Sequence, residues 1–109
     1  MSGNFAENLA ALPPVDDLAG IELTTVDGVT SVIEKKPGSQ GSLRVYQHLL
    51  ARYGVIDAAA AEEGLVLYAE HTDDARLHPG KHPNIDRLLA IAAGGDALAA
   101  RLLPARQAF

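Results

Sequence analysis

Ile21-Glu-Leu-Thr-Thr-Val-Asp-Gly-Val-Thr-Ser-Val-Ile-Glu34 is the stretch that decides the fold. β-Branched residues fill both arms, and Asp27-Gly28 between them can take the positive φ angles of a type I′ turn, whose twist suits antiparallel strands. A two-residue loop pairs Val26 with Val29 and Leu23 with Val32. Ile21 and Leu23 then lie on one face and Val26, Val29 and Ile33 on the other, so both faces need partial cover. A lone hairpin is marginal in water and leaves two open edges. Helices must therefore pack on it, and an edge is open to a second copy.

Outward from the hairpin the pattern becomes helical. Phe5, Leu9 and Leu12 recur at i, i+4 and i+7 and predict a short amphipathic helix over 4–12, ended by Pro13-Pro14. After the hairpin, Lys35-Lys-Pro-Gly-Ser-Gln-Gly41 reads as a loop, with Ser42 capping a helix. Leu43, Tyr46, Leu50 and Tyr53 line one side of that helix, Arg44, His48 and Arg52 the other, and Gly54 ends it. Asp57 is placed to cap a longer helix running to about Leu77, stopped by Pro79-Gly80, with Gly64 marking a bend or a close contact. Asn84 then caps a helix whose inner stripe is Ile85, Leu88, Leu89 and Ala92, broken by Gly94-Gly95. Asp96 is read as the cap of a last short helix to Leu103, and Pro104 onward as a tail. The expected architecture is α+β: one domain over residues 1–109, with a β-hairpin at about 21–34 packed against four or five α-helices.

Composition narrows the functional classes. The chain has 109 residues, 9 Lys plus Arg against 14 Asp plus Glu, a formal net charge of −5 and no cysteine. Such a field repels phosphate backbones, and Lys35-Lys36 is the only adjacent basic pair, so no nucleic-acid partner is expected. No apolar run approaches the ~20 residues of a spanning helix, and no basic segment opens the chain as a signal peptide would. No membrane role and a cytoplasmic location are expected. The missing cysteines remove disulfide scaffolds, thiolate metal sites and cysteine nucleophiles.

Chemistry concentrates in residues 70–86. On a helix His71, Asp74 and His78, at i, i+3 and i+7, share one face. Two imidazoles and a carboxylate suit Fe(II), Mn(II) or Zn(II) with positions left open for substrate, although the spacing matches no established metal motif. The plainer reading is a solvated helix face, with His78 favoured by the dipole at the helix end. His82 and Asp86, brought back by the Pro-Gly turn, are the candidate acid/base pair, since imidazole moves protons near neutral pH. Lys81 and Asn84 flank them and suit a small anionic ligand, as do Lys36, Ser42 and Arg44 in the glycine-containing loop before the second helix. That loop lacks the spacing of a nucleotide-binding loop, and both loops serve equally as plain connectors.

Pro37-Gly-Ser-Gln-Gly-Ser-Leu-Arg-Val-Tyr46 and Ala69-Glu-His-Thr-Asp-Asp-Ala-Arg-Leu-His-Pro-Gly-Lys-His-Pro-Asn-Ile-Asp-Arg-Leu88 resemble a family of small bacterial proteins known as domain of unknown function 2322. The resemblance runs over most of the chain. It implies a single-domain bacterial protein of about this length and brings no established activity or catalytic residue with it.

Three functional classes follow. The first is a module that binds a small ligand or a protein through a His/Asp-lined site. The second is a small enzyme using His71, Asp74, His78 and His82, metal-dependent or acid/base. The third is a structural homodimer paired through the hairpin edge.

Overall fold

A computed structural model describes residues 3–105. In chain order the elements are α1 (Phe5–Ala10), β1 (Leu18–Thr24), β2 (Thr30–Glu34), α2 (Gln40–Tyr53), α3 (Ala58–Tyr68), α4 (Glu70–Leu77), α5 (Pro83–Ala92) and β3 (Ala99–Pro104). The expected α+β class holds, with a three-stranded antiparallel sheet in the order β2-β1-β3 where a hairpin alone was expected.

The hairpin forms one residue out of the expected register. Ile21 faces Ile33 and Leu23 faces Ser31, because the loop is Val26-Asp27-Gly28 and not Asp27-Gly28 alone. The Gly28 amide donates to the Thr25 carbonyl at 2.9 Å, and Thr25 and Val29 then meet across the loop. Gly28 takes the required left-handed conformation, at φ +87°. Burial dictates the shift. It places Ile21, Leu23 and Ile33 together on the inner face, whereas the two-residue loop would set Ile21 opposite Glu34. Val26, Val29 and Val32 are left exposed.

β3 corrects the expected last helix. Leu98 exchanges backbone hydrogen bonds with Ile56 at 2.9 and 3.0 Å, and Ala99–Pro104 then runs antiparallel along β1. Ala, Leu and Arg favour a helix locally, but β1 has a free row of backbone groups, and pairing with it overrides propensity. Pro104 therefore belongs to the sheet, opposite Leu18. Ala105 donates its amide to the Asp17 carbonyl at 2.7 Å, and residues 106–109 of the expected tail lie outside the described residues.

The inner face of the sheet meets α2, which buries Leu43, Val45, Tyr46 and Leu49. α3 lies between α2 and α5, and Gly64 is the point of closest approach. A Cβ there would sit 2.7 Å from a Leu88 methyl and 2.9 Å from a Leu49 methyl, so Gly64 marks close packing, not a bend. Asp57 caps α3 as expected, accepting from the Ala60 amide at 2.9 Å, and Gly54 ends α2 at φ +80°.

The long helix expected from 57 to 77 is two helices. The chain breaks at Ala69, whose φ of +52° and ψ of −117° suit glycine. The break takes carbonyls out of the helical ladder, and three of them find other partners. Thr72 Oγ1 donates to the Leu65 carbonyl at 2.6 Å and buried Asn8 Nδ2 to the Leu67 carbonyl at 3.0 Å, while Val66 accepts from the Ala69 amide at 3.1 Å. Glu70 then accepts the first amide of α1, from Phe5, at 2.9 Å. α1 carries its own capping box between Asn4 and Glu7, so a six-residue helix is fixed at its start and against the break.

Because alanine in such a conformation costs about 1–3 kcal/mol while glycine loses about 0.5–1 kcal/mol through chain entropy, Ala69→Gly is expected to stabilise the protein. A calorimetric Tm about 4 °C higher is expected; a lower Tm would show that the backbone at Ala69 is not left-handed.

Candidate functional site

The break at Ala69 turns α4 so that His71 faces α1 and the loop between α4 and α5. Together with the start of α2 these segments enclose an open cleft of about 460 Å³. Phe5, Leu9, Pro37, Tyr68, Pro83 and Ile85 form its apolar walls, and Ser42, His71, Lys81, His82 and Asn84 bring polar groups to it. The two loops singled out separately in the sequence thus border one space.

The aromatic wall is ordered by ring contacts. Phe5 stacks on Tyr68 with centroids 5.3 Å apart, His71 meets Phe5 edge-on at 4.9 Å, and His82 lies 5.9 Å from His71. Tyr68 is buried, and burial pushes its phenol well above the ordinary 10, so it stays protonated and donates to Ser42 Oγ at 2.6 Å. Ser42 keeps its own hydroxyl hydrogen, which has no acceptor among the described residues. The expected cap role of Ser42 is corrected: α2 begins at Gln40, after Ser39, and Ser42 stands in its first turn. Ser39 turns its hydroxyl to the Glu34 carbonyl and the Lys36 amide, so the first amides of α2 have no side-chain cap.

His82 is the residue before α5, and Pro83 opens that helix, which moves the cap two residues back from the expected Asn84. Asn84 lies inside the first turn, where its side-chain oxygen accepts from Arg87 at 2.9 Å and its carbonyl from Tyr46 at 2.6 Å. His82 Nε2 meets Asp74 Oδ2 at 2.6 Å, and Lys81 Nζ reaches the same oxygen at 3.1 Å. The hydrogen bond from His82, followed by that from Lys81, holds the Asp74 carboxyl at about 2, below the ordinary 3.8. An ionised carboxylate only accepts, so His82 Nε2 carries the proton. Whenever the ring is neutral, the lone pair is then on Nδ1, which has no hydrogen-bond partner among the described residues.

The remaining sequence candidates lie elsewhere. His78 has left α4 as its end residue and approaches Asp74 from outside at 3.8 Å. The expected ligand trio of His71, Asp74 and His78 is therefore not gathered at one point, because the helix ends before His78 and His71 faces Phe5. Among the described residues no group of three His, Asp or Glu side chains is placed to hold a metal ion. Asp86 accepts the Gly80 amide at 2.9 Å and closes the Pro-Gly turn, away from the cleft lining. Lys36 pairs with Glu34 at 3.0 Å on the surface. Arg44 donates to the carbonyls of Leu12 at 2.7 Å and Pro13 at 3.3 Å, tying α2 to the chain after α1.

Reading the sequence also missed the aromatic wall, since Phe5 and Tyr68 fall on stripes that read as core. It missed a second polar cluster as well. Glu63 on α3 accepts from Tyr53 at 2.7 Å and Arg52 at 2.9 Å and pairs with His48, which is part-buried although it stands opposite the apolar stripe of α2.

Asp74 fixes a pH dependence. Its pKa is lower in the folded chain than in the unfolded one, so the unfolded chain takes up the proton first. The stabilisation is complete above about pH 4 and is lost as pH falls toward 2. Asp74→Asn is expected to lower stability at pH 7 and to flatten that acid limb in urea titrations. A variant with an unchanged acid limb would show that Asp74 does not hold the loop.

Among the described residues no helix is long and apolar enough to cross a membrane. No curated protein and no solved structure matches the chain. A family profile described as an uncharacterized protein conserved in bacteria matches residues 5–102 of the 109, covering α1, the whole cleft and most of β3. The chain belongs to that family, DUF2322.

Proposed function

We propose that the cleft binds a small anionic ligand with an apolar, ring-like body. One observation carries this reading. In a chain with 14 acidic residues and a net charge of −5, no acidic residue among the described residues lines the cleft, while Lys81, His71, His82 and Ser42 all do. An anion steered away by the rest of the surface meets there the N–H groups of Lys81 that Asp74 does not occupy and the Ser42 hydroxyl. Asp74 stands behind His82 and Lys81 and orients them. The stacked Phe5 and Tyr68, with Leu9 and Pro37, offer flat apolar surface to the body of the ligand, and the volume falls within the usual range of small-molecule sites, about 300–1,000 Å³. The uncapped amides at Gly41 and Ser42 add donors on the same side.

Phenyl phosphate and benzoate are suitable probes, with benzyl alcohol as the neutral control. In ¹⁵N-resolved NMR titrations the two anions are expected to shift the amides of Gly41, Ser42, His71 and His82, and the alcohol to leave them in place. Lys81→Gln is expected to weaken phenyl phosphate binding about tenfold, the scale of a charged hydrogen bond. Equal response to the alcohol, or shifts confined to residues away from the cleft, would overturn the reading.

A further inference from the structure

Resting on the reading of the cleft as an anion site, we propose that His82 is a phosphoryl-accepting nucleophile that reacts through Nδ1. Three observations on different elements meet at this ring. Asp74, on α4, occupies Nε2 at 2.6 Å, which leaves the lone pair on Nδ1. The ring borders a cleft that no carboxylate of the described residues lines, so a dianionic phosphoryl group can approach it. Lys81, the preceding residue, reaches Asp74 at 3.1 Å and borders the same cleft, where it can meet phosphoryl oxygens. His82 is also 24% exposed against 60% for His78, so its setting, not its accessibility, distinguishes it.

The step balances with a donor of the phosphoramidate or acyl phosphate class. The Nδ1 lone pair forms the N–P bond, and the bond from phosphorus to the leaving nitrogen or oxygen breaks, its electron pair going with the leaving group. The imidazole becomes formally cationic, and the Asp74 carboxylate, already hydrogen-bonded through Nε2–H, stabilises that charge. Asp74 is thus a positioning residue and His82 the reacting one. No redox partner or metal enters the step.

The test is to incubate the full-length protein with potassium phosphoramidate and to follow the acid-labile phosphoryl adduct by intact mass and by residue mapping, with His48, His71 and His78 as internal controls. His82 is expected to label about tenfold faster than the more exposed His78, and Asp74→Asn to remove most of that advantage. His82→Gln is expected to lose the fast-forming adduct while His48 and His78 label at the rates they show in the unsubstituted protein. Labelling that follows exposure, with His78 ahead, would overturn the proposal, as would a rate at His82 that Asp74→Asn does not change. If phenyl phosphate still binds the unmodified protein in that case, only the phosphoryl-acceptor role falls. If it does not bind, the anion reading falls as well.

Discussion

The break in the backbone at Ala69 is the constraint on which the rest of the site depends. A helix continuing through this point would satisfy its own carbonyls and carry His71 away from α1. Broken there, the chain leaves the carbonyls of Leu65 and Leu67 to Thr72 and Asn8, a buried threonine and a buried asparagine from two other helices. Buried carbonyls without partners cost about 1–3 kcal/mol each, so these contacts hold α4 and α1 in place around the break. With α1 fixed, Phe5 stacks on Tyr68 and the cleft acquires its aromatic wall.

The sheet shows how far local pattern reaches. Asp27-Gly28 marked the turn and its β-branched arms marked the strands, yet the register depended on which residues had to be buried. Ile33 opposite Ile21 satisfies the inner face, and a three-residue loop is the geometry that achieves it. β3 had no comparable mark. Ala99-Ala-Arg-Leu-Leu103 carries good helix formers, and its state is set by the free edge of β1, about eighty residues earlier in the chain.

The candidate site was legible in parts. His71, Lys81, His82, Asn84 and Ser42 stood out by residue type, and the structure brings all five to one cleft. The sequence could not show that Asp74 belongs to His82 more closely than to His78, because that depends on where the helix ends and how the Pro-Gly turn folds back. Nor could it separate the cleft wall from the core, since Phe5, Leu9 and Tyr68 occupy apolar stripes in either case. Ala69 was the hardest feature to see. Alanine is the best helix former, and the contacts that make its left-handed conformation tolerable come from Asn8 and Thr72, the first of them remote in sequence.

Native-state hydrogen exchange, resolved residue by residue, tests most directly whether the break at Ala69 holds α1 and the cleft together. The amides of Asn8 and Leu12, which close α1 onto the carbonyls of Asn4 and Leu9, are expected to share one opening free energy with the Thr72 amide on the Ala69 carbonyl. Exchange of the α1 amides at unprotected rates, with Thr72 still protected, would contradict the account, because the aromatic wall of the cleft would then come and go independently of the break.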